Sequence, residues 1–385
     1  MKNRQQLKIN QLERTFTTGV LKVLHLLPPF WLPKKREIKK ALVVKYCCFG
    51  DAILSLYALN EYKKTTHSKM DLLCSHRVYA VYKQSGIFEN IYTLPVRGEN
   101  IAKEVLSLAF VKSCFQLFLG LRKTAFQELI DLELYRTSPL ILKPLLNIPQ
   151  SRGFHVPDGP LKEYDFSTTR GKETPEWLCF FQLLELPERP ENQLLCPLAL
   201  NSAQQTRESN EVTHSSIPLK IGLVMGSSPN WPQKKWPLHY FIQLAHALQN
   251  SGYQLILFGT AIEKEESDIF SRSMKQPVEN TTGLLTYSDL IKKVSQCHLV
   301  VGNDTGTLHL AAACGVKTLT LFGPTNPKKW KPVHGEVVLL EKLKCRPCYY
   351  LSSMPDCDHF SCLYKLSPQI VLSRVLEVVQ GLEWR

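Results

Sequence analysis

No run of this 385-residue chain is apolar for the roughly 20 residues that a membrane-crossing helix requires. The best candidate, GVLKVLHLLPPFWLP at 19–33, is broken by Lys22, His25 and a proline pair. No small-residue cleavage site follows it, so neither a span nor a secretory leader is expected. Short internal repeats and low-complexity tracts are also missing, which sets aside repeat architectures. The chain has no G-x-x-x-x-G-K-[ST], so a Walker phosphate loop is excluded. Acidic residues are scarce at the N-terminus, where only Glu13 and Glu37 offset ten Lys and Arg in residues 1–40. The net charge of +13 is thus concentrated in this arm and the remainder is only mildly basic, which argues against nucleic acid as a partner. A basic N-terminal arm against an anionic surface fits the distribution better.

What is present fits two domains of a soluble enzyme. The length exceeds one ordinary core, and an apolar fraction of 44% is far from that of a disordered chain. The twelve cysteines do not make a disulfide scaffold. Cys47, Cys48, Cys74, Cys114, Cys179 and Cys314 lie in or beside apolar runs, where free thiols act as small hydrophobes. A reducing, cytoplasmic setting is expected.

Residues 1–40 read as a basic, partly amphipathic extension, either lying in a membrane interface or packed on the body of the protein. From residue 41 a βαβα rhythm begins: ALVVKY, a turn at Gly50, the helical AILSLYALNEYKK, then strands at MDLLCS, IYTLP and ELIDLEL. Residues 201–216, NSAQQTRESNEVTHSS, hold one aliphatic residue (Val212) and no aromatics, and read as a linker. The rhythm restarts with LKIGLVM, a helix from about Leu238, YQLILF, a helix from about Glu263, HLVV, a helix from Thr307, and TLTLF. Strands alternating with helices predict an α/β architecture of two doubly wound, Rossmann-like domains, 41–200 and 217–385, with a ligand cleft between them.

Three strand–turn–helix junctions carry chemistry. In VVGNDTGTLHLAAACG, residues Asp304, Thr305 and Gly306 precede a helix whose first turn holds His309. Free N–H groups and the helix dipole there favour phosphate, with Asp304 a cap or a sugar-hydroxyl ligand. The plain alternative is a capped helix with a core histidine. In GLVMGSSPNWPQKKWP, Ser227, Ser228 and Lys234 follow a strand and suit a diphosphate, or else form a polar loop with solvated lysines. In KYCCFGDAIL, Asp51 opens a helix, either as its cap or as a carboxylate placed for general-base work.

Taken together, Gly50-Asp51, the Gly-Ser-Ser…Lys-Lys-Trp-Pro segment and the run from Asn303 through Gly323-Pro324-Thr325 to Pro327 resemble the family nine glycosyltransferases. These are the ADP-heptose:lipopolysaccharide heptosyltransferases and their relatives. The resemblance spans about 41–380 and is most specific at 303–327; the extension at 1–40 lies outside it. Where the family has small hydroxyl residues before Gly-Asp, this chain has Cys47-Cys48.

The resemblance implies a GT-B fold and an inverting, metal-independent transfer of heptose or a similar sugar to a lipopolysaccharide core or related glycolipid. No cofactor is implied. It implies Asp51 as catalytic base, and Ser227, Ser228, Lys234, Asp304, Thr305, Gly306 and His309 as donor-binding residues. Glu263 would meet the donor's nucleoside and Arg136 the anionic acceptor. The setting implied is the inner face of a bacterial cytoplasmic membrane. Two rivals are a nucleotide-sugar epimerase on the same plan and a non-catalytic glycolipid-binding relative. The basic arm argues against the first, and the presence of Asp51, Lys234 and His309 against the second.

Cys345-x2-Cys348-x8-Cys357-x4-Cys362 has a spacing that can bind zinc, but packed thiols or a redox-sensitive pair is the plainer reading. Little or no zinc is therefore expected in the purified protein. About one zinc per chain by elemental analysis, lost together with folding on chelation, would contradict this.

Overall fold

The computed structural model describes residues 40–46, 48–94, 108–133, 138–155, 164–198, 218–228, 231–349 and 357–383. The extension up to residue 39, the segment 201–216 and Arg136 lie outside the described residues. The chain divides into two compact units, Met1–Gly171 with Glu176–Glu188, and Lys172–Pro175 with Arg189–Arg385.

In the first unit the strands are β1 (Lys40–Lys45), β2 (Lys69–Cys74), β3 (Ile91–Thr93), β4 (Glu128–Asp131), β5 (Gln150–Phe154) and β6 (Phe166–Thr168). The second unit has β7 (Lys220–Val224), β8 (Gln254–Phe258), β9 (Glu279–Asn280), β10 (Leu299–Asn303), β11 (Lys317–Phe322) and β12 (Glu336–Leu339). Among the described residues the helices of eight residues or more are α1 (Phe49–Thr66), α2 (His76–Ser85), α3 (Leu108–Arg122), α4 (Glu176–Leu183), α5 (Leu238–Asn250), α6 (Lys264–Ser273), α7 (Tyr287–Val294), α8 (Gly306–Ala313) and α9 (Pro368–Glu383).

Each unit holds one wholly parallel sheet, ordered β3-β2-β1-β4-β5-β6 and β12-β11-β10-β7-β8-β9. Parallel strands need crossover connections, and the intervening helices supply them and bury apolar strand faces. That burial explains why the strands read as continuous apolar runs. Ile221, Leu223, Leu255, Leu257, Leu299 and Val301 pack into one cluster with Trp236 and Phe241. Val224, Ile256, Phe258 and Val300 pack into another, with Leu308 and Ala311 of α8. The alternation is the period-two geometry of a strand. In the first unit Leu42, Val44, Leu73, Leu121 and Leu129 form a comparable cluster.

The predicted strands appear where the apolar runs lie. Those not foreseen, β5, β6, β9 and β12, are short, and QSRGF, FST and EN carry little apolar signal.

In both sheets the chain winds outward from one central strand and then crosses to its other side. The crossing points lie between β1 and β4 and between β7 and β10. Connections leave the strands' carboxyl ends in opposite directions there, opening a crevice, the usual ligand position of such sheets. Gly302 fixes the close approach of β10 to β7. A Cβ at this position would sit 2.4 Å from the Val224 carbonyl oxygen, which is backbone and cannot rotate away. Gly302→Ala should destabilise the second unit by about 1–3 kcal/mol in urea denaturation.

Candidate active site

The first crevice is built around Asp51. β1 ends at Lys45, and the chain turns sharply through Cys48, which holds a left-handed φ of 68° before α1 begins. This turn leaves Cys48 exposed, so the expectation of a packed thiol there is corrected. Among the described residues no side-chain capping bond is made at the flanking residue Cys48, and Asp51, three positions on, lies inside the helix rather than at its cap. Its carboxylate is buried instead, with Oδ2 4.0 Å from Lys45 Nζ.

Lys45 is a fully buried cation. Its Nζ lies 3.6 Å from Glu133 Oε1 and donates to the Leu132 carbonyl at 3.3 Å. Glu133, just past β4, accepts the Tyr46 N–H at 2.6 Å and so ties the end of β1 to the end of β4. The buried Arg170–Glu176 ion pair adds one charge of each sign to the field at Asp51. Burial pushes the Asp51 carboxyl up to about 6, with Lys45 opposing the rise, Glu176 adding to it, Arg170 opposing and Glu133 adding. The result is a carboxylate that is mostly ionised at neutral pH yet far more basic than an exposed aspartate.

The second crevice gathers the loop after β7 and the start of α8. Asn303, fully buried, spans it: Nδ2 donates to Met225 O at 2.7 Å and Gly226 O at 3.2 Å, while Oδ1 accepts the Trp236 N–H at 3.0 Å. Lys234 Nζ donates to Asp304 Oδ2 at 2.9 Å, and Thr325 Oγ1 donates to the same oxygen at 2.8 Å. Burial alone would raise the Asp304 carboxyl, but the charge and hydrogen bond of Lys234 hold it below its ordinary value. Asp304 is therefore an anchor for Lys234 rather than a helix cap.

Thr305 is the N-terminal flanking residue of α8, but its hydroxyl makes no capping bond. Thr305 Oγ1 and His309 Nδ1 are both buried, and neither has a hydrogen-bond partner among the described residues. Burial lowers His309 to about 4, with Asp304 opposing the drop and Lys234 adding to it, so its imidazole is neutral at pH 7. A plain capped helix with a satisfied core histidine would leave neither atom unpaired.

The other sequence-derived candidates take varied positions. Ser227 Oγ donates to Trp231 O at 3.3 Å, and Ser228, exposed, accepts the Trp231 N–H on its carbonyl at 2.8 Å. Glu263 closes a capping box, with Oε2 accepting from Thr260 N at 2.8 Å and Thr260 Oγ1 at 2.6 Å. Its carboxylate also lies against Gly226, where a Cβ would come within 2.7 Å of Oε1. Arg136, as noted, lies outside the described residues. Cys345 is exposed, Cys348 and Cys357 half-buried and Cys362 buried, all as free thiols. Among the described residues no group of three or more His, Cys, Asp or Glu is arranged to hold a metal ion.

Sequence reasoning missed Lys45, Glu133, Arg170, Glu176, Asn303, Thr325, Trp231 and Tyr349 as site residues. Tyr349 turns its ring toward Lys234 Nζ, 5.5 Å from the centroid, and meets Trp231 edge-on. A lysine closing an apolar strand and a buried-strand carboxylate two positions past Asp131 were the available signals for the first pair.

Residues 178–356 match the profile of the family described as glycosyltransferase family 9 (heptosyltransferase). A lipooligosaccharide heptosyltransferase 2 of Campylobacter jejuni is 27% identical over 352 residues, covering 86% of this chain and 96% of that protein. A lipooligosaccharide heptosyltransferase 2 of Haemophilus influenzae is 22% identical over 202 residues, a match that spans 58% of its length. The solved structure of the E. coli ADP-heptose lps heptosyltransferase II superposes with a TM-score of 0.66 at 19% identity, covering 89% of this chain and 99% of that one. At that identity it shows the shared fold, a GT-B pair of parallel α/β sheets.

The Asp51 environment has a pH signature. Its folded carboxyl, at about 6, lies above the unfolded value, so folding favours the protonated form. Stability should therefore fall as pH rises from about 4 to about 6 and level off above, a contribution of about 2–3 kcal/mol. Asp51→Asn removes this dependence. Urea titrations of both proteins across that range should show their stability difference moving in favour of Asn.

Proposed function

We infer, from the chain's place in glycosyltransferase family 9 among the heptosyltransferase-like proteins, that it moves a heptose or similar sugar from a nucleotide-sugar, ADP-heptose first among the candidates, to a lipopolysaccharide core or related glycolipid, with inversion at the anomeric carbon. The observation that carries the donor half is the pair of buried atoms without a hydrogen-bond partner among the described residues, Thr305 Oγ1 and His309 Nδ1, at the start of α8 beside Lys234. Buried polar groups rarely go unpaired, and a diphosphate has the oxygens to satisfy them. Lys234 uses one donor on Asp304 and keeps others for phosphate. Ser227 and Ser228 lie in the loop after β7 and Gly306 opens α8, and Glu263 is assigned to the nucleoside.

In this reading Asp51 takes the proton of the acceptor hydroxyl as that oxygen bonds to the anomeric carbon. The bond from that carbon to the diphosphate oxygen breaks through an oxocarbenium-like state. The leaving nucleoside diphosphate gains charge, which Lys234, a His309 N–H and the N–H groups of α8 stabilise. A carboxyl near 6 is ionised at neutral pH, as a general base requires, and is closer in basicity to the working pH than an ordinary aspartate. Arg136 is assigned to the anionic acceptor and the 1–40 extension to the membrane surface carrying it, a peripheral association with the inner leaflet.

Separate substitutions test the two halves. Lys234→Ala and His309→Ala should each weaken nucleotide-sugar binding by about 1.5–3 kcal/mol, measured calorimetrically. Asp51→Asn should leave donor affinity within a few-fold while turnover falls by about 10²–10⁴. Near-full turnover by Asp51→Asn would remove Asp51 as the base. Thermal shifts with ADP-, GDP- and UDP-sugars identify the donor by the largest stabilisation.

A further inference from the structure

Helix α3 has two apolar faces. Leu121 is buried, and Leu117 and Phe118 pack beside it into the cluster that covers the first sheet. The opposite stripe, Lys112, Phe115, Gln116 and Leu119, continued by Lys123 in the turn just past the helix end, follows helical spacing and is exposed along its whole length. Phe115 is 59% exposed and Leu119, one turn on, 41% exposed. The stripe thus places an aromatic and an aliphatic side chain between a lysine at each end. From Val105 through Gln127 the sequence contains no acidic residue.

We propose that this outer stripe of α3 rests on an anionic lipid surface, with Phe115 and Leu119 entering the headgroup–acyl boundary and Lys112 and Lys123 reaching the headgroups. The inference rests on the reading that the acceptor is carried by a membrane. An apolar centre rimmed by cations that can snorkel is the pattern of an interfacial helix. At 15 residues α3 is too short to cross a bilayer, and no described helix is long and apolar enough to do so.

Charge separates this occupant from the two obvious rivals. A second copy docked two-fold and antiparallel on the same stripe would set Lys112 against Lys123, like charge on like. The chain's own residues 1–39 hold nine Lys and Arg against two acidic residues, so that segment repels the same rim. An anionic surface attracts it.

Co-sedimentation of the full chain with vesicles tests this, in the absence of donor and acceptor. One vesicle set contains phosphatidylglycerol and the other only phosphatidylcholine. Phe115→Ser with Leu119→Ser should lower partition onto anionic vesicles about tenfold or more. Lys112→Gln with Lys123→Gln should lower it about tenfold on anionic vesicles and little on neutral ones. All four positions face solvent, and an unchanged thermal midpoint verifies folding.

Undiminished anionic-vesicle binding by the serine pair overturns the proposal. So does a dimer in sedimentation velocity that the serine pair dissociates, because a second copy then covers the stripe. Sugar transfer to a detergent-dispersed acceptor should persist in the serine pair. If the unsubstituted protein transfers no sugar while its vesicle binding still depends on Phe115 and Leu119, the enzymatic reading fails and the lipid-facing stripe stands.

Discussion

The carboxamide of Asn303 holds three chain segments at one point. Its three hydrogen bonds, to Met225, Gly226 and Trp236, fix the loop after β7, the end of β10 and the entry to α5 relative to one another. Everything else in the second crevice hangs from that arrangement. Lys234 lies two residues before Trp236, and Asp304 directly follows Asn303, so their ion pair forms between segments already held in register. A buried amide with both ends satisfied costs little, whereas losing it would leave two carbonyls and an N–H unpaired in the core.

The two crevices solve the same problem with opposite charge logic. In the first, a buried lysine is shared by two carboxylates, and one of these, Asp51, is left partly uncompensated and hence basic. In the second, a carboxylate is held in its ionised form by a lysine and a threonine, and the adjacent imidazole is forced neutral. One arrangement favours taking up a proton. The other offers hydrogen-bond donors without a full excess of positive charge. Both lie where their sheet reverses its winding, the position at which a parallel sheet leaves backbone groups and strand ends open to a ligand.

Much of this was legible in the chain, for physical reasons. Strands buried on both faces announce themselves as unbroken apolar runs, so β1, β2, β7, β8, β10 and β11 stand out. The Asp304–His309 segment was legible because a turn, a glycine and a small-residue helix must coincide to present N–H groups. The roles of individual carboxylates were not. Whether Asp51 caps its helix depends on the φ of Cys48 and on Lys45, a residue that looks like the solvated end of a strand yet is fully buried. Asp304 seemed suited to a cap or a sugar hydroxyl, because sequence does not reveal that Lys234, seventy positions away, reaches it. Glu263 likewise spends one oxygen on Thr260. Such outcomes rest on long-range pairing, which local patterns do not encode.

The chain's path also bears on how the protein is made. The first unit is interrupted by Lys172–Pro175, which belong to the second, and resumes at Glu176–Glu188. That returning piece is α4, which packs on α1 and buries Trp177, Phe180 and Phe181. A nascent chain that has emerged only as far as Gly171 therefore presents every strand of its first sheet but an uncovered face on the helix carrying Asp51. Completion of that half waits until residue 188 has emerged. A cut at the apparent end of the first sheet would yield a fragment prone to aggregation rather than a domain.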